Sequence, residues 1–251
     1  MQTRLISQSL SIAPSNRPLR GVGSPVERAE GLPPRIAYDR WAPSYATSGR
    51  NPLTDATEQA VTRLLPGLAG RSVLDVACGD GRWARLAVGA GAASVVGLDF
   101  SAAMLRAARR ADAGLAVVAG DMRRMPWPDA RFDVALHVLA LGHVADPAPA
   151  LGEVARVLAP GGVLVVADMH PEAARRGWRR TFRDATGRLQ AVRWYPHPLE
   201  AITRACARAG LSIERRVELA LTPEALPPDA PAGALDIPAL YALRARRAHR
   251  R

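Results

Sequence analysis

A doubly wound α/β domain is the fold class this sequence predicts, and three observations carry it. From Arg35 onward, apolar runs of strand length alternate with helical segments, the pattern of βαβ units around a parallel sheet. A glycine-rich turn joins the first run to a helix, and two late runs follow each other with no helix between them. The expected architecture is therefore seven strands, the last two an antiparallel hairpin appended to the sheet, with helices on both faces.

The five core runs are 72–77 (SVLDVA), 94–99 (SVVGLD), 115–119 (LAVVA), 132–139 (FDVALHVL) and 162–168 (GVLVVAD). Helices are expected near 82–90, 102–111 and 148–158, the second opened by Ser101 as its N-cap. A less regular stretch runs to Pro198, followed by a helix near 199–209 that Gly210 ends, and then by strands at 211–219 and 238–245. Residues 1–34 are rich in arginine, serine and proline, carry no acid before Glu27 and show no apolar period, so they read as a loose tail. Such a start also describes an organelle transit peptide, but no amphipathic stripe accompanies it. A single domain is expected over 35–246, with covering helices at 35–60, a lid at 171–198 and a basic tail at 247–251.

Composition narrows the class. The 251 residues suit one sizeable core, and 48% hydrophobic with 23% charged residues excludes a fibrous or wholly disordered chain. No run approaches the ~18 apolar residues of a membrane span. Two cysteines, Cys78 and Cys206, make neither a disulfide framework nor a four-thiolate zinc site, so the chain reads as cytosolic and metal-free. A formal charge of +11 raises nucleic acid or an anionic membrane as partner. Yet all 34 basic residues are arginine, and that bias beside abundant Ala, Gly and Pro looks like GC-rich coding, so charge alone assigns no partner.

The most informative segment is Val73-Leu74-Asp75-Val76-Ala77-Cys78-Gly79-Asp80-Gly81-Arg82, a buried strand entering a glycine turn and then a helix. Glycines there let backbone amides approach a ligand and present a helix N-terminus. Asp99, 18 residues past Gly81 at the end of the next run, is placed to take both hydroxyls of a ribose. Gly79-x-Gly81-x-x-Ala84 also matches a dinucleotide fingerprint. Charge separates the two readings: Asp75 and Asp80 repel a pyrophosphate but attract a ligand carrying an ammonium and a sulfonium. S-adenosylmethionine fits better than NAD.

With these residues the sequence resembles the class I S-adenosylmethionine-dependent methyltransferases, in the branch of ubiquinone and menaquinone biosynthesis enzymes and small-molecule methyltransferases. The resemblance covers roughly 36–170 and extends beyond the glycine loop to Gly120-Asp121-Met122, Phe132-Asp133-Val134 and Arg156-Val157-Leu158-Ala159-Pro160-Gly161-Gly162. It implies a Rossmann-like fold, and it implies that Asp75, Ala77, Gly79 and Gly81 line the methionine end, Asp99 the ribose, and Asp121, Met122 and Phe100 the adenine. Cys78 and His137 are counted with these cofactor positions. Ala77 departs from the family, which most often has a glycine there. The segment Ala37–Tyr45 resembles the family's aromatic entry helix, so Tyr38 is expected over the cofactor and Tyr45 over the substrate; each ring also suits plain surface packing.

Methyl transfer is an in-line displacement, so the protein chiefly aligns the nucleophile and excludes water, and a base helps only where the acceptor must lose a proton. His170, just past the fifth run, is the preferred base, with His197 and His143 behind it. Residues 172–193 carry seven arginines with Trp178, Phe182, and nearby Trp194 and Tyr195. They read either as a lid that recognises an anionic or flat acceptor through Trp178, Arg179 and Tyr195, or as a solvated basic face. The expected activity is methylation at O, N or C of a small, aromatic or anionic metabolite by a monomer or homodimer. A nucleic-acid methyltransferase, or a relative that uses the cofactor for cyclisation or rearrangement, stays open beside it.

Overall fold

The structure, a computed structural model, describes residues 31–49, 51–221 and 237–249. Three helices lead in: α1 (Pro34–Trp41), α2 (Tyr45–Ser48) and α3 (Pro52–Leu64). The alternating core follows as β1 (Ser72–Val76), α4 (Arg82–Gly89), β2 (Ser94–Asp99), α5 (Ala102–Ala111), β3 (Ala116–Ala119), β4 (Phe132–Val138), α6 (Ala148–Val157) and β5 (Leu158–Met169). Then come α7 (Pro171–Arg175), β6 (Thr181–Arg183), β7 (Leu189–Ala191), α8 (Leu199–Arg208), β8 (Leu211–Leu219) and β9 (Leu240–Arg247). The main sheet has seven strands in the order β3-β2-β1-β4-β5-β9-β8, with β9 antiparallel to both its neighbours. Strand order reverses between β1 and β4, and doubly wound sheets open a ligand crevice at the carboxyl ends of strands at such a point.

Side-chain alternation sorts the core into two faces. Val163, Val165, Ala167 and Met169 of β5 pack with α3 and α4 residues such as Leu53, Val61 and Trp83. Leu164 and Val166 point the other way, to Leu151 and Val154 of α6 and Ile202 and Cys206 of α8. Burial on both faces is why these runs are nearly continuous in apolar residues. Asn51 starts α3 by accepting from the Thr54 amide at 3.1 Å, while the Asn51 amide donates to the Thr54 hydroxyl at 2.9 Å.

The structure corrects the expected boundaries at several points. The fifth strand begins at Leu158 rather than 162, because Leu158 pairs with Phe132 and an irregularity in register carries Pro160–Gly162 along the ladder. The stretch after Asp168 contains a two-stranded hairpin, β6–β7, turned by Asp184, whose Oδ1 accepts from the Thr186 and Arg188 amides at 3.0 and 3.1 Å. Leu32, expected in the loose tail, is tied to this hairpin by Leu32 N–H to Ala191 O at 2.8 Å and Arg193 N–H to Leu32 O at 2.9 Å. Arg247, expected in the basic tail, closes β9 opposite Leu211. Residues 1–30 of the expected tail lie outside the described residues.

Candidate active site

The turn after β1 is shaped by three left-handed residues, Ala77 (φ 56°), Gly79 (φ 56°) and Gly81 (φ 76°), the last of which is the N-cap of α4. The φ of Gly81 favours glycine, and a Cβ there would lie 2.5 Å from Leu115 Cδ2, so the leucine side chain would have to shift. At Gly79 an added Cβ would meet no atom of the described residues within 4 Å beyond its chain neighbours, so the space above the loop is open to a ligand. Ala77 holds the same conformation without glycine's freedom, and such strain collects at ligand sites.

Asp99 ends β2 beside this loop. Its Oδ2 accepts from the Gly79 amide at 2.9 Å and its Oδ1 from the Ser101 amide at 2.8 Å. Burial raises its pKa, while these amide donors pull the other way. Each oxygen keeps a second lone pair. Two cavities meet at this carboxylate and share Ala77, Asp99, Phe100, Met122 and His143. One, of about 330 Å³, runs past Gly120, Asp121 and Tyr195. The other, of about 100 Å³, is lined by Gly79 and Asp80 and closed by Tyr38, Tyr45 and Arg180.

An aromatic and cationic cluster forms that closure. The rings of Trp41 and Phe182 stack at 5.0 Å, joining α1 to the β6–β7 hairpin, and the Arg180 guanidinium lies 5.4 Å from the Trp41 centroid and 5.9 Å from that of Tyr38. His143 Nδ1 lies 3.4 Å from the Arg193 carbonyl, to which only N–H can donate, so Nε2 is left as the acceptor for the Tyr38 hydroxyl at 2.9 Å. Burial, with Arg180 nearby, pushes the His143 pKa down to about 3, and burial raises both tyrosines.

Not every sequence candidate reaches the cavities. Asp75 is buried below the loop, where its Oδ2 accepts from the Ala84 amide at 3.0 Å and burial pushes its pKa up to about 8. The charge contrast drawn from Asp75 and Asp80 therefore rests on Asp80 together with Asp99. Cys78 lines the smaller cavity. His137 is fully buried with Nε2 3.1 Å from Met122 Sδ, behind the wall that Met122 presents. Asp121 lines the larger cavity and pairs with Arg123 at 2.6 Å.

The preferred base lies elsewhere. His170 caps α7, its Nδ1 accepting from the Glu172 amide at 3.1 Å, and its Nε2 is 3.2 Å from Glu218. It lines a separate surface hollow with Arg175 and Glu200 that has no residue in common with the two cavities. The His197 Nε2–H donates to the Val144 carbonyl at 2.9 Å, and of the three histidines proposed as bases only His143 lines the cavities. Trp178 is 1% exposed in the core under the sheet, and Arg179 lines neither cavity.

Reasoning from sequence counted Arg180 only among the arginines of the 172–193 run and singled out Arg179, whereas it is Arg180 that lines the smaller cavity. Burial alternates along 178–182 into the start of β6, with Trp178, Arg180 and Phe182 buried while Arg179 and Thr181 lie half-buried. The W-x-R-x-F alternation carried that signal, and reading the arginine run as one solvated face hid it. Leu139 was not singled out at all: its backbone at φ 56° turns the chain at the end of β4, and it lines the smaller cavity.

Comparison with known proteins gives the same picture at larger scale. Residues 74–166 match the family model of a methyltransferase domain. The chain is 33% identical over 192 residues to the malonyl-(acyl-carrier protein) O-methyltransferase of Pectobacterium atrosepticum, covering 75% of this chain and 70% of that one. Identity to the demethylmenaquinone methyltransferase of Renibacterium salmoninarum is 42% over 103 residues, where the match spans 43% of the relative. A solved S-adenosylmethionine-dependent methyltransferase from Mesorhizobium loti is 30% identical with a TM-score of 0.63, covering 78% of this chain and 100% of that one. By descent and by fold, the chain belongs to the class I S-adenosylmethionine-dependent methyltransferases.

Proposed function

We propose that this methyltransferase holds S-adenosylmethionine across the seam of its two cavities and methylates O, N or C of a small aromatic or anionic molecule. Asp99 is the observation that carries the reading. A buried carboxylate whose two oxygens are steadied by amides, each with a lone pair to spare, suits the paired hydroxyls of a ribose. The open space above Gly79 and the nearby Asp80 suit the ammonium end of the cofactor. Phe100, Asp121 and Met122 suit the adenine. Bound there, the cofactor supplies a methyl carbon activated by a sulfonium.

The chain's own work is to orient and to exclude water. Tyr38, Tyr45 and Arg180 cover the smaller cavity, and the Tyr38–His143 pair presents a fixed hydrogen-bonding edge to it. A histidine held so far below neutrality is a weak proton acceptor, so an acceptor that arrives already ionised, or needs no base, suits this cavity. The relatives named for demethylmenaquinone and for malonyl-(acyl-carrier protein) support a small acceptor group.

The test is calorimetric titration with S-adenosylhomocysteine, followed by transfer of labelled methyl from S-adenosylmethionine to a panel of small phenols, carboxylates and amines. Micromolar binding and label on at least one acceptor are expected. Protein that takes up a nicotinamide dinucleotide and ignores the adenosyl compounds overturns the reading.

A further inference from the structure

We infer that Asp39 is a positioning residue that latches the covering helix α1, through Ser101, to the carboxylate assigned to the ribose, and so sets how fast the cofactor leaves. The inference rests on the functional reading above and adds a control on release to it.

Ser101 joins three parts of the molecule. Its hydroxyl donates to Asp39 Oδ1 at 2.6 Å and accepts from the Met104 amide at 3.1 Å as the N-cap of α5, while its own amide donates to Asp99 Oδ1 at 2.8 Å. A hydroxyl has one proton to give, and here it goes to a carboxylate, the acceptor that makes such bonds short and strong. Ser101 is fully buried, whereas Asp39 lies on the exposed side of α1. Arg35 stands one turn before Asp39 and Arg40 just after it, yet among the described residues Asp39 forms no ion pair within 4.0 Å. It is the serine, and neither arginine, that its carboxylate meets.

Tyr38, the residue before it, ties α1 down on the other side, through the bond from its hydroxyl to His143 Nε2 at 2.9 Å. Ser101 follows β2 and His143 follows β4, the two strands that flank β1 in the sheet. α1 is therefore pinned to both sides of the crevice where the strand order reverses. Pro34 and Arg35 of α1 line the larger cavity and Tyr38 the smaller, so the helix roofs both, while Asp39 and Ser101 line neither. A ligand spanning the two cavities is held under this roof, and release that lifts α1 breaks the Asp39–Ser101 bond. Asp39 thus acts on the bound molecule through α1 and Ser101, without touching it.

The experiment uses the full chain, unaltered and as Asp39→Ala, Asp39→Asn, Ser101→Ala and the double variant Asp39→Ala with Ser101→Ala. Labelled S-adenosylhomocysteine is bound and then chased with a large excess of unlabelled compound, and amide hydrogen exchange is followed in the unliganded proteins. Asp39→Ala should release the label about five-fold faster or more, and should speed exchange of the Ala37 and Ala42 amides, which donate to the Pro33 and Tyr38 carbonyls, by a similar factor. Asp39→Asn keeps an oxygen for the serine hydroxyl, so its release and exchange should stay closer to the unaltered protein than to Asp39→Ala. In the Ser101→Ala background, Asp39→Ala should add less than about two-fold to the release rate, because the latch is already gone. A smaller rise for Asp39→Ala, with or without a lower urea midpoint, means that Asp39 only packs the helix and overturns the inference. Release from Asp39→Asn as fast as from Asp39→Ala also overturns it, since charge rather than the bond would then be at work. Should Ser101→Ala fail to fold without its cap, the two single variants of Asp39 decide. Unaltered protein that takes up no S-adenosylhomocysteine overturns the functional reading instead, and the exchange comparison between the Asp39 variants then still tests the latch.

Discussion

Asp99→Ala removes two separable energies at once. In the folded protein the carboxylate accepts from the Gly79 amide at 2.9 Å and the Ser101 amide at 2.8 Å. The Ser101 amide opens α5 in a fully buried residue, whereas Gly79 faces a cavity that water can enter. An unsatisfied buried amide costs about 1–3 kcal/mol and a hydrated one much less, so stability should fall by about 1–3 kcal/mol in all. Binding loses something different: the charge-assisted bonds to the ribose, about 1.5–3 kcal/mol, or about a 10- to 150-fold weaker Kd. Urea denaturation first establishes that the variant is folded. Calorimetry then compares S-adenosylhomocysteine with 5′-methylthioadenosine, and both should weaken alike because both carry the ribose. A folded variant that binds either within two-fold of the unaltered protein removes Asp99 from the cofactor site.

Three further outcomes are expected. Ala77→Gly should raise stability by about 0.5–1 kcal/mol, since relief of a left-handed alanine outweighs the entropy glycine adds to the unfolded chain, and a lower urea midpoint refutes it. His143 has a folded pKa near 3 against about 6.5 unfolded, so the unfolded chain binds the proton first and stability is lost as pH falls below about 6.5. Asp75, raised to about 8, drives the opposite trend, so the informative quantity is a difference. Relative to the unaltered protein, His143→Gln should gain up to about 1.4 kcal/mol per pH unit on acidification below pH 6, and a pH-independent difference refutes the assignment. His170→Ala should keep kcat/KM within about two-fold, because its hollow shares no residue with the cavities, and a hundred-fold loss would restore it as the base.

The glycine loop was legible because local rules govern it: a strand entering a turn with positive φ, and an acid at the end of the next strand, are set by spacing along the chain. The same holds for the five runs and the late hairpin, where periodicity alone separates one face from the other. The 171–198 segment was not legible in this way. Its arginines suit a solvated helix face as well as an extended strand, and only the turn at Asp184 and the bridge from Leu32 to Val192 select the second. The choice among histidines was not legible either, for a similar reason. Position after a strand places a residue near the crevice but leaves open which way its ring turns, and capping of α7 draws His170 aside.

What the sequence determined by itself is whatever depends on neighbours a few residues away: the strand and helix periods, the loop that needs glycine, and the acid that waits beyond it. What only the tertiary structure decided is which distant side chains share one desolvated space. Tyr38, His143 and Arg180 are separated by long stretches of chain, and their partnership depends on α1, the turn that follows β4 and the segment entering the β6–β7 hairpin converging over one cavity. Burial, which turns a guanidinium from a solvated charge into one that needs a partner, exists only once that packing is in place.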